Sequence, residues 1–593
     1  MIRSLLMVVL IVQTLLPVSN LRSGTSRVQS DRADPLPAAY FRLLEAGAAK
    51  VSERLNSLPN IDLKTIEVNS GWRHFPYAIL APAVLYAKQH ASNSRFRDRG
   101  MLELAIRIGD LLASENEKKV FEPRLDSDWD TYMWLEAYRL LERELGDDRR
   151  ARWTKGIKEN IALVVSDARE RLDFPWYHSP FIGTSPNHYV QWATLLLLGG
   201  IVFAERDWEQ LGKQVLRRFA TVDQSADGFW GEHNREGPTT GYDYLTLTGV
   251  GLYYEYTKDA AVVPALRRST NFHKFYTFLD GTPVDVINDR NRHWGVSAWG
   301  QFAFTHFPDG RGYAAFLTSF FKPETLTVDQ LGRLAQDALY YHEGPGESAP
   351  QELANYSHQM TIAAGIRKTG SWQVCLSGIM NSQAINSQFY LDRQGHISVF
   401  HQRLGQIITG ANSKRQPELA TFSEKLMGQT VHMPISTRLQ MSDERDRLSL
   451  AYNTFFSDLY IPRPTEKELS LRFVITGRGQ PADDPQLVLQ LCLKPGETME
   501  TGAGKRILLG PERIELQAKD IGGWISHRGW KLTLDPASRL IWPVFPHNPY
   551  SNSPETDIRN AVGVLSVPLR LRAQSGRYIR TNEQEIVFAL EVP

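Results

Sequence analysis

The stretch His342-Glu-Gly-Pro-Gly-Glu-Ser-Ala-Pro350 separates two parts of the chain that follow different patterns. Before it, apolar residues recur at positions i, i+3, i+4 and i+7, the spacing of amphipathic helices. After it, apolar and polar residues alternate in runs bounded by Gly, Pro and Asp, as they do in β-strands. We therefore predict a helical domain over residues 35–330, a linker over 331–353 that begins within a last helix, and a β domain over 354–593.

The segments with helical periodicity follow one another closely in the first domain. Gly, Pro and Asp-Gly turns separate them, and such short connections favour antiparallel helical hairpins. Many hairpins in one domain predict an α/α toroid, with a cleft where the loops at one end converge. We expect helices at residues 37–55, 101–114, 131–145, 188–204, 207–220 and 242–256.

The second domain contains regular β-type runs at residues 469–476, 487–493 and 564–572. A domain of this length built from such runs favours a large antiparallel β-sandwich. A chain of 593 residues with 42% hydrophobic content also has enough apolar residues for at least two cores. The expected fold class is therefore α+β and multidomain, an N-terminal α/α toroid of helical hairpins followed by an antiparallel β-sandwich.

Net charge and cysteine content exclude several classes of protein. The formal net charge is +1, whereas a nucleic-acid-binding protein normally has a strongly basic face, so we expect no nucleic-acid partner. The chain has two cysteines, Cys375 and Cys492, which rules out a disulfide scaffold and a Cys-rich metal site. We expect them as buried thiols in strands, with a single bridge between them as the alternative.

The N-terminus has the three parts of a secretory signal. Arg3 is followed by an apolar run to Leu16 and then by polar sequence, and the run is short for a membrane span. We predict a signal peptide over residues 1–26, cleaved between Ser19 and Ser26, and a secreted or periplasmic protein without a membrane partner. The alternative is an uncleaved N-terminal anchor.

Residues 227–242 read Asp-Gly-Phe-Trp-Gly-Glu-His-Asn-Arg-Glu-Gly-Pro-Thr-Thr-Gly-Tyr and place His233 and Tyr242 on one short loop beside a helix. A His and a Tyr can serve as the acid and the base of a proton-transfer reaction. Asn187 lies upstream, and Arg290 lies downstream in a polar loop, where an arginine is a natural partner of a carboxylate or sulfate. These four are the candidate catalytic residues.

In its order and spacing, the stretch 227–242 resembles a segment of the polysaccharide lyase family that includes chondroitin AC, hyaluronate and xanthan lyases. The chain departs from that segment at Phe229 and Glu232, where the family has Ser and Gln. The resemblance implies a helical toroid followed by a β domain. It also implies cleavage of an acidic, uronic acid-containing polysaccharide by β-elimination, without a cofactor.

A second likeness lies in the β domain, where residues 366–372 and 385–395 are similar to the start of that family's central β-domain. Gln388 stands in the place of a Glu that supports the active site in the family. The motifs that can be recognised thus cover residues 180–400. For the whole protein we expect a monomer whose partner is its polysaccharide substrate.

The resemblance also implies roles for the candidate catalytic residues. Asn187 would bind the uronate carboxylate and stabilise the charge that develops when the C5 proton leaves. Its alternative role is a helix N-cap. Tyr242 would protonate the leaving oxygen and, with a cation such as Arg290 beside it, would also act as the base. His233 would be the base, or it would orient the uronate and Tyr242.

A related group, the heparinase and oligo-alginate lyases, suggests a different histidine. That group places an Asn-His pair ahead of a Tyr, an order that Asn187-His188 with Tyr242 or Tyr244 also satisfies. Both assignments of the catalytic histidine stay open. The other candidate substrate-binding residues are Arg292, which is offset from the family's arginine spacing, Gln388, and Trp230 and Trp176 as surfaces for sugar rings.

No catalytic metal and no cofactor are expected. The carboxylates of Asp126, Asp128 and Asp130 alternate but lack the Gly and the terminal Glu of a calcium loop, which leaves a structural calcium open. Two other functions compete with the lyase. One is a glycoside hydrolase that pairs Asp227 or Glu232 with Asp128 or Asp130. The other is a non-catalytic glycan-binding protein.

Overall fold

Helices occupy the described chain from Leu36 to Tyr340, and β-strands follow from Asn355 onward. The structure is a computed structural model that describes residues 35–57, 74–118, 128–170, 186–232, 237–288, 295–380, 395–410, 416–478, 483–548, 550–551, 553–571 and 583–593. The α-helices of the first part are α1 (Leu36–Ser57), α2 (Leu80–Ala87), α3 (Arg99–Glu117), α4 (Asp128–Leu141), α5 (Asp147–Glu170), α6 (Pro186–Phe203), α7 (Arg206–Arg218), α8 (Thr240–Thr257), α9 (Val263–Phe275), α10 (Gln301–Phe304), α11 (Pro308–Thr318) and α12 (Val328–Tyr340). None of these described helices is both long and apolar enough to cross a membrane.

The last of these helices, α12, has clear start and stop signals. It begins behind a capping box, in which the side chains of Thr327 and Gln330 each accept a hydrogen bond from the backbone N–H of the other residue. It ends at Tyr340, just before the Gly- and Pro-rich stretch. Leu334 of α12 is fully buried in the helical core. The helical part therefore extends through the first ten residues of the predicted linker, 331–353.

The helices α6 and α7 form an antiparallel hairpin that packs backbone against backbone. Gly200 near the end of α6 faces Glu209 near the start of α7, and Gly212 faces Ala193. A Cβ on Gly200 would lie 2.3 Å from the Glu209 nitrogen, and one on Gly212 would lie 2.6 Å from the Ala193 carbonyl oxygen. A larger side chain at either position would push the two helices apart.

The second part of the chain forms two large antiparallel sheets. The strands are β1 (Asn355–Gln359), β2 (Ala364–Thr369), β3 (Trp372–Ser377), β4 (Ile397–His401), β5 (Gly405–Thr409), β6 (Phe422–Leu426), β7 (Gln429–Val431), β8 (Ser436–Met441), β9 (Arg445–Ala451), β10 (Phe455–Pro462), β11 (Glu468–Gly477), β12 (Asp483–Leu491), β13 (Thr498–Thr501), β14 (Arg506–Leu508), β15 (Ile514–Leu516), β16 (Trp524–His527), β17 (Trp530–Thr533), β18 (Arg539–Val544), β19 (His547–Asn548), β20 (Ser553–Pro554), β21 (Val562–Pro568) and β22 (Glu583–Glu591). A short helix, α13 (Ala518–Ile521), lies between β15 and β16.

The strand order of the first sheet is β1-β2-β3-β4-β5-β12-β21-β18-β15, and β6 extends it by pairing with β12 and β7. The second sheet has the order β14-β13-β16-β17-β22-β11-β10-β9-β8, while β19 and β20 form a pair of their own. Leu487 and Leu489 of the first sheet and Leu471 and Phe473 of the second belong to one buried apolar cluster. The two sheets are therefore the layers of a sandwich, and the predicted fold class is confirmed.

A separate apolar cluster joins the helical part to the first sheet. Phe278, which follows α9, stacks on Phe400 of β4 with ring centroids 5.1 Å apart. Nearby, the Asp227 carboxylate accepts hydrogen bonds from the backbone nitrogen and the hydroxyl of Thr361, both at 2.7 Å. Because the helices and the sandwich share these contacts, residues 35–593 form one compact unit.

The two cysteines are both thiols. Cys375 is buried in β3, as predicted for a cysteine in a strand. Cys492 is half-buried and directly follows the end of β12. The alternative of a single bridge between them is not what the structure contains.

Candidate active site

The helices α4 and α6 begin at the same end of the helical part. Tyr138 in the last turns of α4 packs against Phe203, the last residue of α6, with ring centroids 5.7 Å apart. The helix between them, α5, runs in the opposite direction, because the hydroxyl of Tyr189 at the start of α6 donates to the carbonyl of Ala168 near the end of α5 at 2.9 Å. The first turns of α4 and α6 therefore lie on one side of the molecule.

The first turn of α8 lies at this same end. The Phe219 ring lies 6.2 Å from the Tyr189 ring, and the Phe219 carbonyl accepts the indole N–H of Trp230 at 2.9 Å. The backbone N–H of Trp230 in turn donates to Asp243 Oδ1 at 2.8 Å. A short chain of contacts thus leads from the start of α6 to the start of α8. We call the end formed by the first turns of α4, α6 and α8 the rim.

The rim gathers the partial positive charges of three helix starts. These charges come from the backbone N–H groups of each first turn, which have no partner within the helix. The first turn of α4 contains Asp128 and Asp130, and that of α8 contains Asp243. The first turn of α6 contains no acidic side chain. Among the three, the start of α6 is therefore where a bound anion is favoured most.

Asn187 is the second residue of α6, behind Pro186 at the first position. Proline is favoured at a first helical position because its missing N–H is not needed there. A capping side chain belongs to the residue before the helix, so the alternative role of Asn187 as an N-cap is not what the structure shows. The Asn187 side chain is buried, and the next residue, His188, is exposed.

The two tyrosines in the first turns of α8 differ in their surroundings. Tyr242 is half-buried. Tyr244 is fully buried, and its hydroxyl shares a hydrogen bond of 2.8 Å with the hydroxyl of Tyr313. Burial raises the pKa of Tyr244 to about 12. Of the two, Tyr242 is therefore the more exposed residue.

A buried acid–imidazole pair lies directly behind Tyr242. Asp243 Oδ2 is 3.3 Å from His273 Nε2, both side chains are fully buried, and the Tyr244 ring stacks on His273 with centroids 3.9 Å apart. Burial raises the pKa of the Asp243 carboxyl, and the nearby His273 opposes this shift. Sequence reasoning missed this pair, because His273 is thirty residues away on α9 and no local pattern connects it to Asp243.

Trp230 was predicted as a surface for a sugar ring, and the structure places it elsewhere. Its side chain is 1% exposed, so neither face of the indole reaches the solvent. Its indole N–H instead donates to the carbonyl of Phe219, and its backbone N–H donates to Asp243 in the first turn of α8. The remaining predicted site residues lie outside the described residues and stay predictions: His233, Arg290, Arg292, Trp176 and Gln388.

The loop after α9 connects the rim to the sandwich. Asn288 accepts a hydrogen bond from the backbone N–H of Thr240, the first residue of α8, at 3.2 Å. Three residues earlier, the buried carboxylate of Asp285 accepts hydrogen bonds from Ser398 and from Gln406 of the first sheet. Asn288 is also the last described residue before the segment that contains Arg290 and Arg292. The contacts of this loop thus hold Asn288 beside the first turn of α8.

A cavity of about 590 Å³ opens beside Asn288, between this loop and the sandwich. Three basic side chains line its sandwich side, those of Lys494, Arg528 and Arg559. Acidic residues neutralise part of this positive charge, because Arg559 pairs with Asp557 at 2.5 Å. No local pattern in the sequence predicts this basic wall, because Lys494, Arg528 and Arg559 come from separate turns of the β domain.

The carboxylates considered for a hydrolase are buried, as are Asp128, Asp130 and Glu232, or hydrogen-bonded within the protein, as is Asp227. Both oxygens of Asp227 are engaged by Thr361 at the junction with the sandwich. Asp130 is buried and lies 3.4 Å from His74 Nδ1. Glu232 is buried as well. The residue Asp126 lies outside the described residues.

Neither a protein-family model nor a curated protein sequence matches this chain. Solved structures do match it. The chondroitin AC lyase of Streptomyces coelicolor A3, in complex with chondroitin sulphate, is 13% identical, with 95% of this chain and 80% of that chain covered and a TM-score of 0.49. The heparan sulfate lyase HepC of Pedobacter heparinus is 12% identical, with 94% and 88% covered and a TM-score of 0.42.

Proposed function

We propose that this chain is a lyase that cleaves a uronic acid-containing polysaccharide by β-elimination, with Tyr242 as the residue that transfers the proton. The observation that supports this most is the contrast between two tyrosines of α8. Tyr242 is half-buried at the rim, whereas Tyr244 is buried and hydrogen-bonded to Tyr313. A general acid must reach the atom that it protonates, so accessibility selects Tyr242.

The difficult step is removal of the C5 proton, because the adjacent carboxylate already carries a negative charge. A donor that binds this carboxylate stabilises the enolate that develops. Asn187 is proposed for this task, although its side chain is nearly as buried as that of Trp230, because it lies in the first turn of α6, where the backbone N–H groups also favour an anion. The start of α6 would therefore bind the uronate carboxylate.

The leaving glycosidic oxygen must gain a proton in the same reaction. Tyr242 would supply it from its phenolic hydroxyl. To act also as the base, Tyr242 needs a cation beside it, and Arg290 is proposed for that purpose. The histidine of the site is either His233 or His188, of which His188 is exposed beside Asn187.

Binding of an acidic chain also requires groups beyond the reacting ring. We propose Arg292, Trp176 and Gln388 for this role, together with the basic wall of the cavity beside Asn288. The protein would act outside the cytoplasm, as a secreted or periplasmic monomer from which residues 1–26 have been removed.

A panel of uronic acid polysaccharides incubated with the purified protein tests the proposal. β-Elimination leaves an unsaturated uronate at the new chain end, and this group absorbs ultraviolet light. Hydrolysis does not produce it. We expect this absorbance to rise with at least one member of the panel. New reducing ends without the absorbance would instead indicate a hydrolase, and binding without either product would indicate a glycan-binding protein.

A further inference from the structure

The opposite end of α8 carries a second cluster of polar side chains. Glu255 lies in the last turn of α8, His306 lies between α10 and α11, and His342 follows α12. Thirteen residues of helix separate Glu255 from Tyr242, which corresponds to about 20 Å at the rise of an α-helix. The cluster is therefore distinct from the rim and takes no part in the chemistry proposed there.

Each of the three side chains brings one possible ligand atom into the cluster. Glu255 Oε1 lies 2.7 Å from His342 Nε2 and 3.3 Å from His306 Nε2. All three atoms lie within 4.8 Å of one another. A tetrahedral zinc ion with ligand bonds of about 2.0–2.1 Å holds its ligand atoms roughly 3.3 Å apart. The observed spacing needs only small side-chain movements to match this.

Neighbouring groups orient each of the three side chains. The ammonium group of Lys258 pairs with Glu255 Oε2 at 2.5 Å, which leaves Oε1 to face the histidines. The His306 ring packs edge-on against Tyr254 with centroids 4.9 Å apart. The backbone N–H of His342 donates to the hydroxyl of Thr305 at 3.0 Å. Supporting contacts of this kind are what fix ligands at metal sites in proteins.

The His306 nitrogen is the observation that favours a metal over a plain ion-pair cluster. The His306 side chain is 9% exposed, and its Nε2 atom is buried without a hydrogen-bond partner among the described residues. Although Glu255 Oε1 is only 3.3 Å away, the geometry between the two atoms is not that of a hydrogen bond. A buried ring nitrogen that lies this close to a carboxylate oxygen without a hydrogen bond between them is suited to share a cation with it.

We propose that Glu255, His306 and His342 bind one zinc ion, with a water molecule at the fourth position. Two imidazoles and one carboxylate form a donor set that zinc prefers. The ion would connect α8 with the segments that precede α11 and follow α12, so its role is to stabilise the helical part. Sequence reasoning found no such site, because the three ligands come from separate parts of the chain.

The proposal is tested by metal binding to the full chain after treatment with a chelator. Zn²⁺ should bind with one ion per chain and raise the melting temperature, and Co²⁺ should give the visible spectrum of a tetrahedral site. His342→Gln is the first variant, because this side chain is about a third exposed and its loss is compatible with folding. Its matched control is His90→Gln, which removes a histidine that pairs with one carboxylate, Glu343, at 3.2 Å.

We expect His342→Gln to weaken Zn²⁺ binding by at least about 100-fold, since even a residue that only supports a ligand contributes about 10–100-fold. The His90→Gln variant should bind Zn²⁺ as the parent chain does. The double variant His306→Gln, His342→Gln should lose both the thermal shift and the cobalt spectrum. Failure of the parent chain to take up one Zn²⁺, or equal uptake by the folded His342→Gln variant, would overturn the proposal.

Discussion

The two ends of the helical part, the rim and the far end where α8 and α12 finish, neutralise their buried carboxylates in different ways. At the far end, the fully buried Glu136 accepts hydrogen bonds from Arg139 at 2.7 and 3.1 Å and from the hydroxyl of Tyr340. At the rim, the buried Asp243 faces an imidazole, that of His273, and a backbone N–H. Among the residues that the structure describes, Glu136 is thus paired with a permanent cation and Asp243 is not.

This difference separates a region built for stability from a region suited to chemistry. A buried carboxylate that is paired with an arginine is expensive to disturb, because removing one partner leaves the other charged and out of water. The described residues around Asp243 form no such pair, and the proposed lyase chemistry is assigned to the neighbouring Tyr242. Substitutions at the rim should therefore lower activity, and substitutions at the far end should lower stability.

The largest effect is expected from Tyr242→Phe at the rim. It removes only the hydroxyl, so we expect the turnover number to fall by about 10²–10⁴-fold while the free energy of unfolding is unchanged. The control is Tyr244→Phe, which removes the hydrogen bond to Tyr313 and should cost about 1 kcal/mol of stability with little change in rate. Retention of more than a small fraction of the parent rate by Tyr242→Phe would remove this tyrosine from the mechanism.

Asn187→Ala tests the other half of the rim. We expect it to lower kcat by about 10²–10³-fold with a smaller change in KM, because the amide is proposed to bind charge that develops in the transition state. Asn93→Ala is the matched control, since Asn93 is also a buried amide and donates to the carbonyls of Leu85 and Lys88. A loss of stability at Asn187 with unchanged kcat would give it a structural role alone.

Glu136→Gln tests the far end. It keeps the shape of the side chain but leaves Arg139 without its carboxylate, and breaking a buried pair costs about 3–5 kcal/mol. Because Arg139 is about a third exposed, we expect a loss near 3 kcal/mol in denaturant unfolding, with unchanged activity per folded molecule.

The control for Glu136→Gln is Glu103→Gln, which breaks an exposed pair with Arg99 at 3.0 Å. Such surface pairs contribute about 0.5 kcal/mol or less. An equal loss of the free energy of unfolding in the two variants would mean that the far end does not stabilise the fold more than an exposed ion pair does.

The sequence predicts the elements of this comparison well because they depend on local periodicity. The helix predicted at 242–256 is Thr240–Thr257, and the one predicted at 188–204 is Pro186–Phe203. The change from helices to strands likewise falls where the Gly- and Pro-rich stretch places it. These features follow from which residues face the core, and a short window of sequence contains that information.

The buried polar pairs at the rim and at the far end could not be predicted from local periodicity. Asp243 and His273 lie on different helices, as do Glu136 and Tyr340, so only the packing of those helices brings them together. Trp230 was placed in a substrate site because an aromatic residue in a loop often faces solvent. Its burial is decided by Phe219 and Asp243, which are distant in sequence or outside the loop.

The smallest expected effect is that of Asp243→Asn, which is the rim counterpart of Glu136→Gln. The asparagine keeps an oxygen for the backbone N–H of Trp230 and loses only the charge. Because no arginine is left unpaired, we expect the free energy of unfolding at neutral pH to change by about 1 kcal/mol or less. Asp243→Ala, which loses the acceptor as well, should cost about 1–3 kcal/mol.

The pH dependence of the free energy of unfolding of Asp243→Asn tests whether the carboxylate of Asp243 is less well neutralised than that of Glu136. Burial raises the pKa of the Asp243 carboxyl in the folded chain, and His273 offsets only part of this shift. A raised folded pKa contributes stability below the unfolded pKa of about 4, and this stability is lost as the pH rises through the folded value. Asparagine has no such loss, so the variant should gain on the parent chain as the pH rises across that window. If the free energies of unfolding of the parent chain and the variant differed by the same amount at every pH, Asp243 would be as well neutralised as Glu136. The contrast between the two ends would then rest on Tyr242 alone.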